Sequence, residues 1–232
     1  MRGAAARVRG LLRGRRFLLR SPESVFTSIW RSGWWTRAIP GGSRSGPGSS
    51  PEAARPVALA LPPLLARLGA RSLLDAPCGD FGWMRGVDRS GFDYVGADIV
   101  APLVAELSGR YADARTRFVV LDLARGPLPR ADAVLCRDAL VHLSFRLALA
   151  ALERIRESGA TWLLATTFPG LGRNEDCVTG LWRPLDLERP PFSLPPPVET
   201  IHEQRDPGGR LPDKHLGVWR VAELPPSAGG AA

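Results

Sequence analysis

Residues 73–84 read LLDAPCGDFGWM. Two leucines lead into Asp75, a tight Pro77-Cys78-Gly79 turn follows, and the stretch then reads as the start of a helix. The pattern predicts a short buried strand over 72–75, a sharp turn, and a helix over 80–87 whose free backbone N–H groups face whatever the turn holds. Outward from this stretch, apolar strands alternate with helices. Helices are predicted over 52–69 (Val57, Leu59, Leu61, Leu64, Leu65, Leu68 apolar), 101–111 and 144–158, the last capped by Ser144 with Leu147, Leu149, Leu152 and Ile155 inward. Strands are predicted over 94–98, 117–121, 131–136 and 161–167. This alternation implies an α/β fold: a Rossmann-like doubly wound sheet, mostly parallel, with helices on both faces. Residues 198–203 and 215–221 read as two further strands, an antiparallel hairpin at the sheet edge.

In an open parallel sheet, ligands bind at the carboxyl ends of the strands, where strand order reverses. The turn after Asp75 is the floor of such a pocket, and three ligands compete for it. A P-loop needs Gly-Lys-Ser/Thr where Gly82-Trp83-Met84 stands. A dinucleotide fingerprint is matched only in part, with Pro77 and Gly79 in place of its first two glycines and Gly82 as the third. Asp75 and Asp80 bracket the turn and would repel a pyrophosphate. They suit a ligand carrying an ammonium and a sulfonium, which is S-adenosylmethionine. Asp98, at the end of the second strand, is placed to accept both ribose hydroxyls. Asp122, after the third strand, is placed to receive the adenine amino group, with Leu123 beside the ring.

These stretches resemble the class I S-adenosylmethionine-dependent methyltransferases, and within them a bacterial group carrying D-A-P-C-G-D-F-x-W-M. The resemblance runs past residue 22 through FTSIW (26–30), SGPGSS (45–50), GADIV (96–100), VVLDL (119–123), LCRDALVHLS (135–144), TTFP (166–169) and WRPLDLERPPF (182–192). Pro77 stands where the wider family usually has a first glycine. The resemblance implies that Asp75, Pro77, Cys78, Gly79 and Asp80 frame the methionine end of the cofactor. It implies that Asp98 and Ile99 hold the ribose, and Asp122 and Leu123 the adenine. Arg137 is expected to reach the cofactor carboxylate or the acceptor, or else to pair with Asp138.

If the acceptor is a hydroxyl, a base must take its proton. His142 is the first candidate and Asp138 the second, each against the alternative of a packing or ion-paired residue. Residues 169–197 hold seven prolines and are expected to build the acceptor wall, with Trp182, Arg183 and Phe192 facing substrate. Arg183 is either an anion-binding fork or an internal brace. The Gly/Ser loop over 38–51 is either a lid over the cofactor or a plain linker. Trp30, Trp34 and Trp35 are expected to pack, Cys78 to be a small fitting residue rather than a nucleophile, and His202 and His215 to lie at the sheet edge. No metal is expected.

Composition bounds the rest. The 232 residues, 44% hydrophobic, support one sizeable core. The expected organisation is a basic, disordered or loosely helical tail (1–21), an aromatic segment with the lid loop (22–51), a methyltransferase domain (52–222) and a disordered tail (223–232). Residues 1–50 carry ten arginines and one acid, so of the net charge of +8 the remaining chain holds about −1. A near-neutral body argues against nucleic acid as substrate. Arg15-Arg16-Phe17-Leu18-Leu19 is followed by Arg20, Pro22 and Glu23 rather than the apolar run of an export signal. No apolar run approaches the roughly 18–20 residues of a membrane span. Three scattered cysteines suit a reducing cytoplasm. The expected function is methyl transfer to an oxygen or nitrogen of a small molecule or glycan. The alternatives are an RNA or protein methyltransferase and a non-catalytic cofactor-binding module. The sequence leaves the acceptor and the oligomeric state open.

Overall fold

A computed structural model describes residues 17–36, 43–205, 208–209 and 211–226. The basic helix expected over 1–20 lies outside the described residues up to position 16. The elements run α1 (Pro22–Ser32), α2 (Pro51–Arg67), β1 (Ser72–Asp75), β2 (Asp93–Asp98), α3 (Ala101–Tyr111), β3 (Thr116–Val120), β4 (Ala133–Cys136), α4 (Phe145–Glu157), β5 (Trp162–Thr167), β6 (Glu199–Gln204) and β7 (Lys214–Arg220). One sheet of seven strands is ordered β3-β2-β1-β4-β5-β7-β6. The first five are parallel; β7 runs antiparallel between β5 and β6, and β6 forms the edge. The chain moves from β1 outward to β2 and β3, then crosses back to β4 on the other flank of β1. The switch point is therefore the β1–β4 boundary, and the 73–84 turn leaves from it.

Local chemistry accounts for the helix ends. Ser21 caps α1 by accepting from the Ser24 N–H at 3.2 Å, Pro22 takes the first helical position, and Gly33 closes it in a left-handed conformation. Ser50 does the same for α2, accepting from Ala53 N–H. Three prolines inside α2 each remove a backbone donor, yet the helix persists because Val57, Leu61, Leu64 and Leu65 are buried against the sheet. Leu59, one of the apolar residues of this helix, points to solvent at 68% exposure. The Ser144 side chain does not cap α4; the Asp176 carboxylate accepts from Phe145 N–H at 2.7 Å, and the Thr179 hydroxyl from Ser144 N–H at 3.1 Å.

The two faces of the sheet are covered differently. α2 and α3 bury Leu73, Tyr94 and Phe118 on one face. On the other, α4 shares the cover with Phe168, Leu185, Leu187, Phe192 and Leu194 from the proline-rich segment. That segment is a core layer, which is why it lacks periodicity: its apolar residues are placed by tertiary packing rather than by a helical or strand repeat. Within the ranges expected as tails, Phe17 packs with Val25 and Ile29, and Leu224 is buried. No described helix is long and apolar enough to cross a membrane.

Candidate active site

The turn after β1 is not the start of a helix over 80–87. A single 3-10 turn, Met84–Gly86, follows it, because Phe81, like Gly79 before it, adopts a left-handed backbone (φ 58° and 55°) that a right-handed helix cannot contain. Asp80 N–H donates to the Ser45 hydroxyl at 2.8 Å, and Gly82 N–H to the Asp80 carboxylate at 3.0 Å. Gly79 adopts φ 55°, a conformation that favours glycine, and its N–H donates to Asp98 Oδ2 at 3.2 Å. The neighbouring Cys78 N–H donates to Ala97 at 2.8 Å. The turn is thus tied to the end of β2, and the Ala76–Pro77 peptide within it is cis.

Two buried carboxylates stand at this floor. Asp75 accepts from the Tyr94 hydroxyl at 2.7 Å, and burial pushes its pKa up to about 7 against that bond and the nearby Arg137. Asp98 accepts from Gly79 and Val100 N–H groups, and burial still pushes it up to about 6. A carboxylate offers about four lone-pair sites, so each has acceptor capacity left over. Asp122 follows β3 and accepts from Ala124 N–H.

On the other flank of β1, the residues after β4 form a buried charge network. Arg137 donates through Nε and Nη2 to Glu203 Oε2 at 2.9 and 2.7 Å, and lies 3.5 Å from Asp138. Lys214 Nζ sits 2.6 Å from Asp138 Oδ2 and 3.0 Å from Glu203 Oε2. Arg137 Nη2 also donates to the Gly48 carbonyl at 2.8 Å. Asp138 therefore lies between two cations that hold its carboxyl below its ordinary range despite burial, which makes it a poor base. His142 ends the 3-10 turn Leu140–His142, with Nδ1 3.2 Å from the Leu181 carbonyl. A carbonyl only accepts, so Nδ1 carries the proton and Nε2 keeps a free lone pair. Burial lowers the His142 pKa to about 4, so the ring is neutral at pH 7.

The Gly/Ser loop lies down on this floor. Asp80 accepts from the Ser43 hydroxyl at 2.6 Å and Arg44 N–H at 2.8 Å. At Gly48 the backbone passes so close that a Cβ would stand 2.7 Å from Asp138 Oδ2. The first part of the loop, 37–42, is outside the described residues. α1 and the residues after it complete the roof with Phe26, Trp30 and Trp35. Together they border an open cleft of about 1130 Å³, the solvent in its mouth included.

Of the sequence-predicted residues, the cleft brings together Asp75, Pro77, Cys78, Gly79, Asp98, Ile99, Asp122, Leu123, Arg137, Asp138 and His142. Asp80 does not line it: its carboxylate is spent on the Ser43 hydroxyl and the N–H groups of Arg44 and Gly82. The expected acceptor wall is not there either. Arg183 is the internal brace, donating to the carbonyls of Glu175, Leu140 and Leu143. Phe192 is buried edge-on against Phe145, away from the cleft, and Trp182 is 48% exposed beside Phe168. Trp30 and Trp35, expected to pack rather than to form a stacking platform, line the cleft. Glu203 was missed altogether; β6 also carries Glu199, His202 and Gln204, so nothing in the sequence singles it out. All three cysteines are free, and burial pushes the Cys78 thiol well up, consistent with an inert residue. His202 and His215 pack edge-on to each other on the hairpin at 5.1 Å.

The donor set fits S-adenosylmethionine. Two under-satisfied buried carboxylates face the ligand groups that supply positive charge and O–H donors, an ammonium, a sulfonium and a ribose.

No family model matches the chain. In sequence it is similar to an uncharacterized methyltransferase of Mycobacterium tuberculosis and to one of Mycobacterium bovis. Each is 32% identical over 155 residues, covering 60% of this chain and 76% of the relative. In structure it is similar to Burkholderia thailandensis 1,6-didemethyltoxoflavin-N1-methyltransferase, solved with 1,6-didemethyltoxoflavin and S-adenosylhomocysteine. That match has a TM-score of 0.62 and 21% identity, over 87% of this chain and 91% of the other. It is also similar to Synechocystis magnesium protoporphyrin IX methyltransferase with S-adenosylhomocysteine, at TM-score 0.58 and 14% identity over 85% and 97%.

Proposed function

The chain belongs to the class I S-adenosylmethionine-dependent methyltransferases, and we propose that it methylates an oxygen or nitrogen of a small molecule or glycan. The observation that carries this reading is His142: a neutral imidazole on the cleft wall, its Nδ1 proton committed to Leu181 and its Nε2 lone pair free. When bound, the cofactor supplies an electrophilic methyl; the acceptor–carbon bond forms as the carbon–sulfur bond breaks, its electron pair remaining on sulfur. Asp98 and Asp122 orient the nucleoside, and Asp75 with the Gly79 turn receives the amino-acid end. His142 Nε2 takes the acceptor proton and later releases it to solvent. The lid and α1 exclude water, so that alignment of acceptor and methyl supplies much of the rate. Three unpaired cysteines support a reducing, cytoplasmic setting.

The test is to incubate the protein with methyl-tritiated S-adenosylmethionine and separate fractions of a bacterial extract. Label in the low-molecular-weight or glycan fraction, lost in His142→Gln, supports the reading. Label confined to RNA or protein overturns it.

A further inference from the structure

The β4 flank of the cleft carries an aromatic roof that the cofactor-binding acids do not explain. Phe26 and Trp30 come from α1, and Trp35 from the turn after it. Trp35 stacks on His142 with ring centroids 4.8 Å apart and planes at 35°, and Phe26 lies 6.2 Å from Trp35. Arg44 closes this end, its guanidinium 4.3 Å from the Trp30 ring centroid. Arg44 lines the cleft, and among the described residues no carboxylate pairs with it. Trp30 Nε1 is buried and has no acceptor in the protein. Buried polar groups are almost always satisfied, so the unmet Trp30 N–H points to an acceptor atom arriving with a ligand; Arg44, exposed beside it with its Nη2 3.5 Å from the Trp30 carbonyl, supplies a cation at the same end of the cleft.

We propose that this roof is the methyl-acceptor subsite. It takes a planar aromatic or heteroaromatic ring with an ionisable O–H or N–H toward His142 and a carboxylate or carbonyl substituent toward Arg44 and the Trp30 N–H. The inference rests on the methyltransferase reading of the cleft and narrows it. Flat π faces at Phe26, Trp30 and Trp35 match a flat ring. A sugar is a poor match, because its many hydroxyls would be desolvated against a roof whose polar side chains are Arg44, Ser45 and Ser49. Of these, Ser45 is already engaged by Asp80 N–H. Base strength agrees. With a pKa of about 4, His142 faces a gap of about 6 units to a phenol-like proton near 10. The gap to an aliphatic, water-like hydroxyl is far wider. The aromatic acceptor is the one a weak base can serve.

The experiment saturates the protein with S-adenosylhomocysteine and titrates salicylate, a hydroxyquinoline carboxylate and methyl glucoside, read by tryptophan fluorescence and calorimetry. The expected result is binding of the aromatic carboxylates and not of the glucoside. Trp35→Leu and Arg44→Gln should each weaken aromatic binding at least tenfold, and Trp30→Phe about threefold or more. All three should keep S-adenosylhomocysteine affinity within about twofold, which also shows that they fold. Binding of the glucoside alone, or of none of the three, overturns this inference while leaving the cofactor reading intact. A fall in S-adenosylhomocysteine affinity in Arg44→Gln with aromatic binding unchanged gives Arg44 to the cofactor's carboxylate and overturns it too. Failure of the wild type to bind S-adenosylhomocysteine overturns the reading beneath and this one with it.

Discussion

Replacing Glu203 by Ala should cost the fold about 3–5 kcal/mol, the usual cost of leaving a buried ion without its partner. The geometry makes the estimate specific. Glu203 Oε2 alone accepts from Arg137 Nε, Arg137 Nη2 and Lys214 Nζ, at 2.9, 2.7 and 3.0 Å, and all three residues are buried. Without it, two cations share Asp138, which already lies 2.6 Å from one and 3.5 Å from the other. In a chain of this size each kcal/mol moves the midpoint by roughly 2–4 °C, so thermal unfolding should shift by about 6–20 °C. Glu203→Gln keeps an oxygen acceptor and should cost less. Substituting both partners, Glu203→Leu with Arg137→Met, should also cost less than Glu203→Ala, because no lone charge is left buried. Thermal melts and urea titrations followed by circular dichroism give all three values. A Glu203→Ala protein within about 1 kcal/mol of wild type, or a double variant worse than the single, would refute the buried network as drawn.

Cofactor affinity should depend on pH through Asp98. Burial holds its pKa near 6, and a protonated carboxyl cannot accept from both ribose hydroxyls, so the Kd for S-adenosylhomocysteine should rise up to about tenfold per unit as pH falls below 6. Calorimetry from pH 5 to 8 reads this directly, and Asp98→Asn should flatten the low-pH limb. Gly79→Ala combines a left-handed backbone with a Cβ driven into Ser45 Oγ, so it should displace the Gly/Ser loop and weaken S-adenosylhomocysteine binding about tenfold or more, measured on the folded variant. Arg183→Lys should destabilise by about 2–3 kcal/mol in urea titration, since one ammonium cannot serve three carbonyls in fork geometry, while cofactor affinity of the folded protein stays unchanged.

The fold was legible where local pattern and burial coincide. Ser72–Asp75 and Ala101–Tyr111 were read to the residue, because short apolar runs bounded by Gly, Pro and Asp leave few alternatives. The acids after β1, β2 and β3 were legible for the same reason: strand ends define the pocket edge in this topology. The helix expected over 80–87 failed although Phe81, Met84 and Val87 have the right spacing. Phe81 itself is held in a left-handed conformation that ends any right-handed helix, in a turn tied by Asp80 N–H to the Ser45 hydroxyl thirty-five residues earlier. The Arg137–Glu203 pair spans sixty-six residues and leaves no local trace. Trp182, Arg183 and Phe192 look the same in sequence whether they brace a core layer or face a substrate; Arg183 differs only in finding three carbonyls. Trp30 and Trp35 illustrate the converse: an aromatic run reads as packing until the fold shows which side of it is empty.

The most direct test of the account is calorimetric titration with S-adenosylhomocysteine of the wild type and of Asp98→Ala. The account predicts binding by the wild type and a loss of roughly 1.5–3 kcal/mol, about ten- to a hundredfold, in the variant. Binding indifferent to Asp98, or no binding by the wild type, would contradict it.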